Sequence, residues 1–207
     1  MLHCRILTVG DDKAKKVQLL TAFKEGKLSQ DYNPSFFENS TRVLTIDGTQ
    51  VAVDILDSTG FDMYSSIRSS LYMNVDVVLL CFSISNKPTF RSIQSTWFPE
   101  VKHYLPTVPV FLVGTQSEKR EEIGNIKGRL QSTKAALELS KKMKAVEYIE
   151  CSAKTGQNVQ YLFENAIRQV FPNKRVLSNT QQKKGESFWV IYVLVIVFYI
   201  LFIVFLH

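Results

Sequence analysis

A glycine closing an apolar run, followed six residues later by a lysine, is an arrangement that can hold phosphate. In "LTVGDDKAKKVQLL" (residues 7–20), Gly10 ends a strand-like run, Lys16 sits six residues on, and Gln18, Leu19 and Leu20 open a helix-like run. A phosphate cradle needs backbone N–H groups aimed inward at a helix N-terminus, with a lysine for the phosphate charge. Gly10, Asp11, Asp12, Lys13, Ala14, Lys15, Lys16 and Val17 are therefore candidate phosphate-binding residues. The stretch departs from the pattern G-x-x-x-x-G-K-[S/T] at two positions. Lys15 stands at the second glycine, and Val17 stands at the hydroxyl residue. A working site, a modified site and a lysine-rich turn that binds nothing all remain open on this stretch alone.

Three other polar clusters follow apolar runs: "DSTG" at 57–60, "GTQSE" at 114–118 and "CSAK" at 151–154. The elements that would position them alternate between strand-like and helix-like. Residues 4–9 read as a first strand and 17–23 as a helix. Residues 41–56 read as a hairpin around Asp47-Gly48, a strong turn dipeptide. Residues 75–84 read as a buried strand, and 89–105 as a helix with Thr89 as its N-terminal cap. Residues 108–115 are another buried strand, 132–143 a helix, 145–153 a short strand and 159–171 a final amphipathic helix. Continuous apolar strands separated by helices predict an α/β fold, a six-stranded, mostly parallel sheet with helices on both faces. Ligands of such sheets bind at the carboxyl ends of the strands, where all four clusters fall.

In this order and on this strand pattern, the four clusters resemble the guanine-nucleotide motifs of small GTPases. Further stretches resemble the Rho family. "YNPSFFEN" (32–39) is similar to that family's first switch and "DSTGFDMYSSIRSSLY" (57–72) to its second. "DVVLLCFSISNKPTFRSIQSTWFPEV" (76–101), with Trp97, Pro99 and Glu100, is similar to the strand and helix that follow. The resemblance covers about residues 3–171 and implies a P-loop small GTPase G domain that binds GTP or GDP with Mg²⁺. It places Thr115, Gln116 and Glu118 at the base-reading motif, Ser152, Ala153 and Lys154 at the S-A-K loop, and Gly60 in the D-x-x-G turn. Ser35 and Asp57 fall at the metal-facing positions. Tyr32, Phe36, Phe37, Glu38 and Asn39 would form the effector loop, and Tyr64, Ile67, Arg68 and Leu71 the second-switch surface. The partners implied are effector proteins such as kinases or scaffolds, together with exchange factors.

The departures from the family pattern fall on the chemistry. Lys15 replaces a glycine whose missing side chain permits close backbone approach. Asp12 replaces another glycine and adds negative charge, while Lys13 and Lys15 add positive charge. Val17 removes a metal-ligating hydroxyl, so Ser35 and Asp57 remain and a weakened Mg²⁺ site is expected. Glu118 keeps the family's guanine-binding carboxylate on a side chain one methylene longer. Gln116 loses the lysine that packs over the base, and Leu28 stands where the family often has phenylalanine. Phe61 occupies the position of the glutamine that orients the attacking water, and Thr59 alters the same loop. No side chain in the sequence is therefore assigned a catalytic role, and impaired hydrolysis is expected. The connection "KREEIGNIKGRLQS" (119–132) is short, and the extra helix of Rho proteins is absent from it.

A chain of 207 residues is long enough for one domain with a full core, and its net charge of +6 is modest. No basic stripe interleaved with aromatics points to nucleic acid. Cys4, Cys81 and Cys151 are scattered in or beside apolar stretches, which argues against a disulfide framework or zinc site and fits a reducing cytosol. The first residues lack the apolar core of a signal peptide. At the other end, "FWVIYVLVIVFYILFIVFL" (188–206) is uncharged for 19 residues. As a helix it would span about 28 Å at roughly 1.5 Å per residue, close to a hydrocarbon core of about 30 Å. Lys174, Arg175, Lys183 and Lys184 precede it and predict a cytosolic G domain. The expected organisation is a Rho-like G domain over 1–172, a basic flexible linker over 173–187 and a transmembrane tail anchor over 188–206, in place of the family's prenylated C-terminus. Such an anchor favours the ER, Golgi or endosomes over the plasma membrane. Three functions stay open: a membrane-anchored GTP-binding regulator of trafficking, cytoskeleton or polarity with weak hydrolysis, a conventional cycling GTPase, and a nucleotide-free interaction module.

Overall fold

The structure, a computed structural model, describes residues 1–26, 40–58, 69–123 and 128–171. Its contacts divide the chain into two units, Met1–Val170 and Phe171–His207. Within the second unit only Phe171 is described, so the expected linker and tail anchor lie outside the described residues. So do Leu28, Tyr32, Ser35, Phe36, Phe37, Glu38 and Asn39, and likewise Thr59, Gly60, Phe61, Tyr64, Ile67 and Arg68. Among the described residues no helix is long and apolar enough to cross a membrane.

Six strands form one sheet: β1 (Leu2–Val9), β2 (Ser40–Ile46), β3 (Thr49–Asp57), β4 (Val77–Ser83), β5 (Val110–Thr115) and β6 (Tyr148–Cys151). Their spatial order is β2-β3-β1-β4-β5-β6. The β2–β3 pair is antiparallel and the rest are parallel. The antiparallel pair follows from its turn. Asp47 and Gly48 hold φ of 49° and 78°, and two successive positive φ values match the twist of a two-residue hairpin. Every residue of β4 and β5 is buried, as expected of central parallel strands covered on both faces.

The helices are α1 (Lys16–Glu25), α2 (Lys87–Ser92), α3 (Phe98–Tyr104), α4 (Lys119–Ile123), α5 (Thr133–Met143) and α6 (Val159–Val170). On one face of the sheet, Leu7, Val9, Leu80, Phe82 and Leu112 pack with Ile93, Trp97 and Val101 and with Leu139 and Met143 of α5. On the other face α1 packs against α6, with the Phe23 and Phe163 rings stacked. Each fully buried Leu or Phe contributes about 1.5–3 kcal/mol relative to an exposed one.

Two sequence expectations for the helix after β4 differ from the structure. The helix expected from Thr89 begins at Lys87, because Pro88 suits a first turn where its missing N–H costs nothing. Thr89 instead ties that turn to β4: its hydroxyl donates to Asn86 O (2.6 Å) and accepts from Ser83 N (2.9 Å). The same helix is not continuous, since a π-helical stretch, Ile93–Trp97, separates α2 from α3. It ends just before Pro99, whose missing N–H and ring disfavour a straight α-helical ladder. The connection after Glu118, which the sequence left without an assigned element, begins with the short helix α4.

Candidate nucleotide-binding site

The phosphate loop rests directly on β4. Gly10 has φ of 145°, and a Cβ there would meet Cys81 O at 2.1 Å, so only glycine fits. A 3-10 turn, Asp12–Ala14, follows. Ala14 N donates to Asp11 O at 2.9 Å and Lys15 N to Asp12 O at 3.1 Å. Lys15 lies in the left-handed region (φ 60°, ψ 38°), and α1 starts immediately after it. Lys16 is completely buried, and its ammonium donates to Gly10 O and to Asp11 O. Val17 is half-buried, and Asp12, Lys13 and Lys15 are exposed. The loop is anchored from two other elements: Trp97 Nε1 donates to Asp11 Oδ1 (2.6 Å), and Thr115 Oγ1 to Ala14 O (2.7 Å). A cationic lysine and the partial positive charge of the α1 N-terminus thus converge on one loop.

Beside this loop lies a small cleft lined by Lys15, Gln18, Leu19, Thr115, Gln116, Glu118, Cys151, Ala153 and Lys154. The loops after β1, β5 and β6 therefore meet, as their common position at strand ends required. Glu118 Oε2 is buried without a hydrogen-bond partner among the described residues. Gln116 ties the cleft wall to the end of β4: its Oε1 accepts from Ser83 Oγ (2.6 Å) and Ser85 Oγ (3.1 Å). Ser117 joins the two base-side loops, with its N donating to Cys151 O (3.1 Å) and its Oγ to Gln157 Oε1 (2.9 Å). Ser152 Oγ accepts from Thr155 N (3.1 Å) and shapes the S-A-K turn. Lys154 pairs with Glu122 at 2.9 Å, and Lys119 pairs with the same carboxylate. Hydrogen bonds from Lys119 and Lys154 hold the Glu122 carboxyl down at about 2.

A second network lies behind the base loops. Arg120 donates to both oxygens of Glu150, with Nη2 to Oε1 at 2.7 Å. Tyr148 Oη and Thr133 Oγ1 donate to the same Oε1 at 2.7 and 3.0 Å. Burial alone would raise the Glu150 carboxyl, but these hydrogen bonds, Arg120 first, bring it below its ordinary value. Burial and the bond to Glu150 push the Tyr148 hydroxyl upward.

Asp57 fits a divalent cation. It is 5% exposed, its Oδ1 accepts from Thr8 Oγ1 at 3.2 Å, and its Oδ2 has no partner among the described residues. Val17, at the start of α1, offers no oxygen. Leu71, expected on the second-switch surface, is half-buried and packs against the core in the 3-10 turn Ser69–Tyr72. Sequence reasoning missed Ser83, Ser85, Ser117, Gln157, Arg120 and Glu150. The available signal was register: Ser83 pairs with Thr115 across parallel strands, which brings the end of β4 to the base loop.

A phosphate loop after the first strand and two base-side loops after the fifth and sixth define a nucleotide-binding α/β domain. The chain belongs to the Ras family, whose description matches residues 5–172. It is 33% identical over 176 residues to the Rho-related protein racC of Entamoeba histolytica, covering 82% of this chain and 91% of that protein. It is a Rho- and Ras-like small GTPase, of a family that binds GTP or GDP with Mg²⁺.

Proposed function

We propose that this chain is a membrane-anchored GTP-binding regulator that retains nucleotide, hydrolyses it poorly and signals through effector proteins in membrane trafficking, cytoskeletal or polarity control. The observation that supports it best is a split in the site. Lys16 and the unpartnered Glu118 carboxylate oxygen keep the attractive groups of a nucleotide cleft, while Val17 supplies no metal ligand. Asp57 and Ser35 would hold Mg²⁺, which supplies neutralisation of phosphate charge when bound. Phe61 has no group to orient water, so binding and hydrolysis separate.

Single-turnover release of γ-phosphate from preloaded protein at saturating Mg²⁺ tests the reading. The expected rate is slower than that of a conventional Rho relative assayed beside it. Phe61→Gln recovers part of the rate, and adding Val17→Thr and Asp12→Gly recovers more. Equal rates would restore a conventional cycling GTPase, and failure to load any nucleotide would favour an interaction module. Tyr32, Phe36, Phe37, Glu38 and Asn39, with Tyr64, Ile67 and Arg68, supply the aromatic and arginine anchors typical of partner surfaces. Residues 188–206 anchor the protein in an endomembrane with the G domain in the cytosol. The full chain then resists alkaline extraction, whereas a chain ending at Phe171 does not. Release of the full chain by alkali refutes the anchor.

A further inference from the structure

Glu118 adds one rotatable bond to the carboxylate that faces a base, and added rotamer freedom costs ordering entropy on binding. Its placement therefore depends on how firmly its backbone is held. Glu118 begins a tight turn, with Glu121 N and Glu122 N donating to its carbonyl at 3.2 and 3.1 Å. Two residues on, Arg120 forks onto Glu150, which directly precedes the CSAK loop on β6, and Arg120 Nη2 also donates to Gln131 O at 3.1 Å. The pair is sheltered, with side chains 30% and 17% exposed, and bidentate arginine–carboxylate geometry is directional. Gln131 N in turn donates to Ile84 O at 2.8 Å, so one guanidinium draws the base-reading loop, the returning chain and β6 together.

We propose that Arg120 is the positioning residue for base discrimination: its fork onto Glu150 sets the Glu118 backbone so that the longer carboxylate meets the N1–H and 2-amino donors of a guanine. The inference rests on the nucleotide-binding reading above. Discrimination of guanine from a purine lacking the 2-amino group is then lost when the fork is broken, even where the phosphate contacts are untouched. A lysine at 120 keeps the charge but not the planar fork, and restores discrimination only in part.

The test uses the full chain in detergent and calorimetric dissociation constants for guanosine and inosine diphosphates, which differ only in the 2-amino group. Wild type is expected to prefer the guanosine form about tenfold or more, the value of one charged hydrogen bond. Arg120→Gln and Glu150→Gln are expected to reduce the preference below about threefold through weaker guanosine binding, with Arg120→Lys between. Thermal melts identify which variants fold. Should both glutamine variants unfold, the fall in preference of Arg120→Lys decides. Parallel losses for both nucleotides at a constant ratio make Arg120 merely structural and overturn the inference while leaving nucleotide binding intact. Equal wild-type affinity for the two also overturns it. A wild type that binds neither overturns the nucleotide reading and this inference with it.

Discussion

Lys15 carries a conformational cost that its chemistry does not require. A non-glycine residue at φ 60° is strained by roughly 1–3 kcal/mol, partly offset by the entropy glycine would lose on folding. Lys15→Gly is therefore expected to stabilise the domain by about 1 kcal/mol, raising Tm by a few degrees in calorimetry. An unchanged or lower Tm would mean that the lysine stem recovers the strain through packing in the cleft. Gly10 presents the opposite case. With Cys81 O at 2.1 Å from any added Cβ, Gly10→Ala must displace the loop from β4. The expected cost is at least about 2 kcal/mol, read as a lower urea midpoint at unchanged slope. Both positions were visible as residue types, but the sequence said nothing of which way Lys15 faces. The left-handed backbone turns it into the cleft beside Gln18 and Glu118.

Among the elements, α4 was the one with the weakest sequence signal, and four of its five residues are charged. Its Glu122 bridges Lys119 within the helix and Lys154 across the base-side loop. The Glu122 carboxyl titrates at about 2 against an ordinary 4.5, a depressed value. Its contribution is complete above about pH 4.5 and is lost as pH falls toward 2. Glu122→Gln should therefore lower stability modestly at pH 7 and flatten the acid limb, with the two proteins converging as pH falls toward 2. The difference should shrink in 1 M salt, because the pair is solvent-exposed and screened. An identical acid limb in the variant would show the bridge to be energetically silent. The strands were far easier to read. Unbroken apolar runs identified β4 and β5, and Asp47-Gly48 identified the hairpin, because burial on two faces and paired positive φ each leave a local mark.

At the scale of the whole molecule, the sheet closes all three cysteines off from solvent. Cys4, Cys81 and Cys151 are buried, and all three are free thiols. Burial pushes Cys4 and Cys81 up to about 12 and also raises the Cys151 thiol. A thiol so raised is almost wholly protonated at pH 8 and unreactive as a nucleophile. Folded protein should therefore react with a disulfide reagent at pH 8 only as fast as it opens, and three thiols should appear at once in guanidinium. Rapid labelling of one thiol in the native state would show that a strand end opens locally. Nucleotide loading should slow labelling of Cys81 and Cys151, which adjoin the phosphate loop and the cleft.

The sequence alone determined the parallel sheet, the hairpin and the four polar clusters at strand ends, because periodicity and turn chemistry are local. It also determined which groups were available: Lys16, Asp57 and Glu118 were all named from type and spacing. What those groups touch was decided only by the tertiary structure. The tie of Gln116 to Ser83 and Ser85, the Trp97–Asp11 bond and the Arg120–Glu150 fork each span 30 or more residues. Such pairs depend on strand register, where a shift of one residue turns every side chain to the opposite face. No local pattern in a single chain encodes that register, so the partners emerge only once the strands are paired and the helices packed.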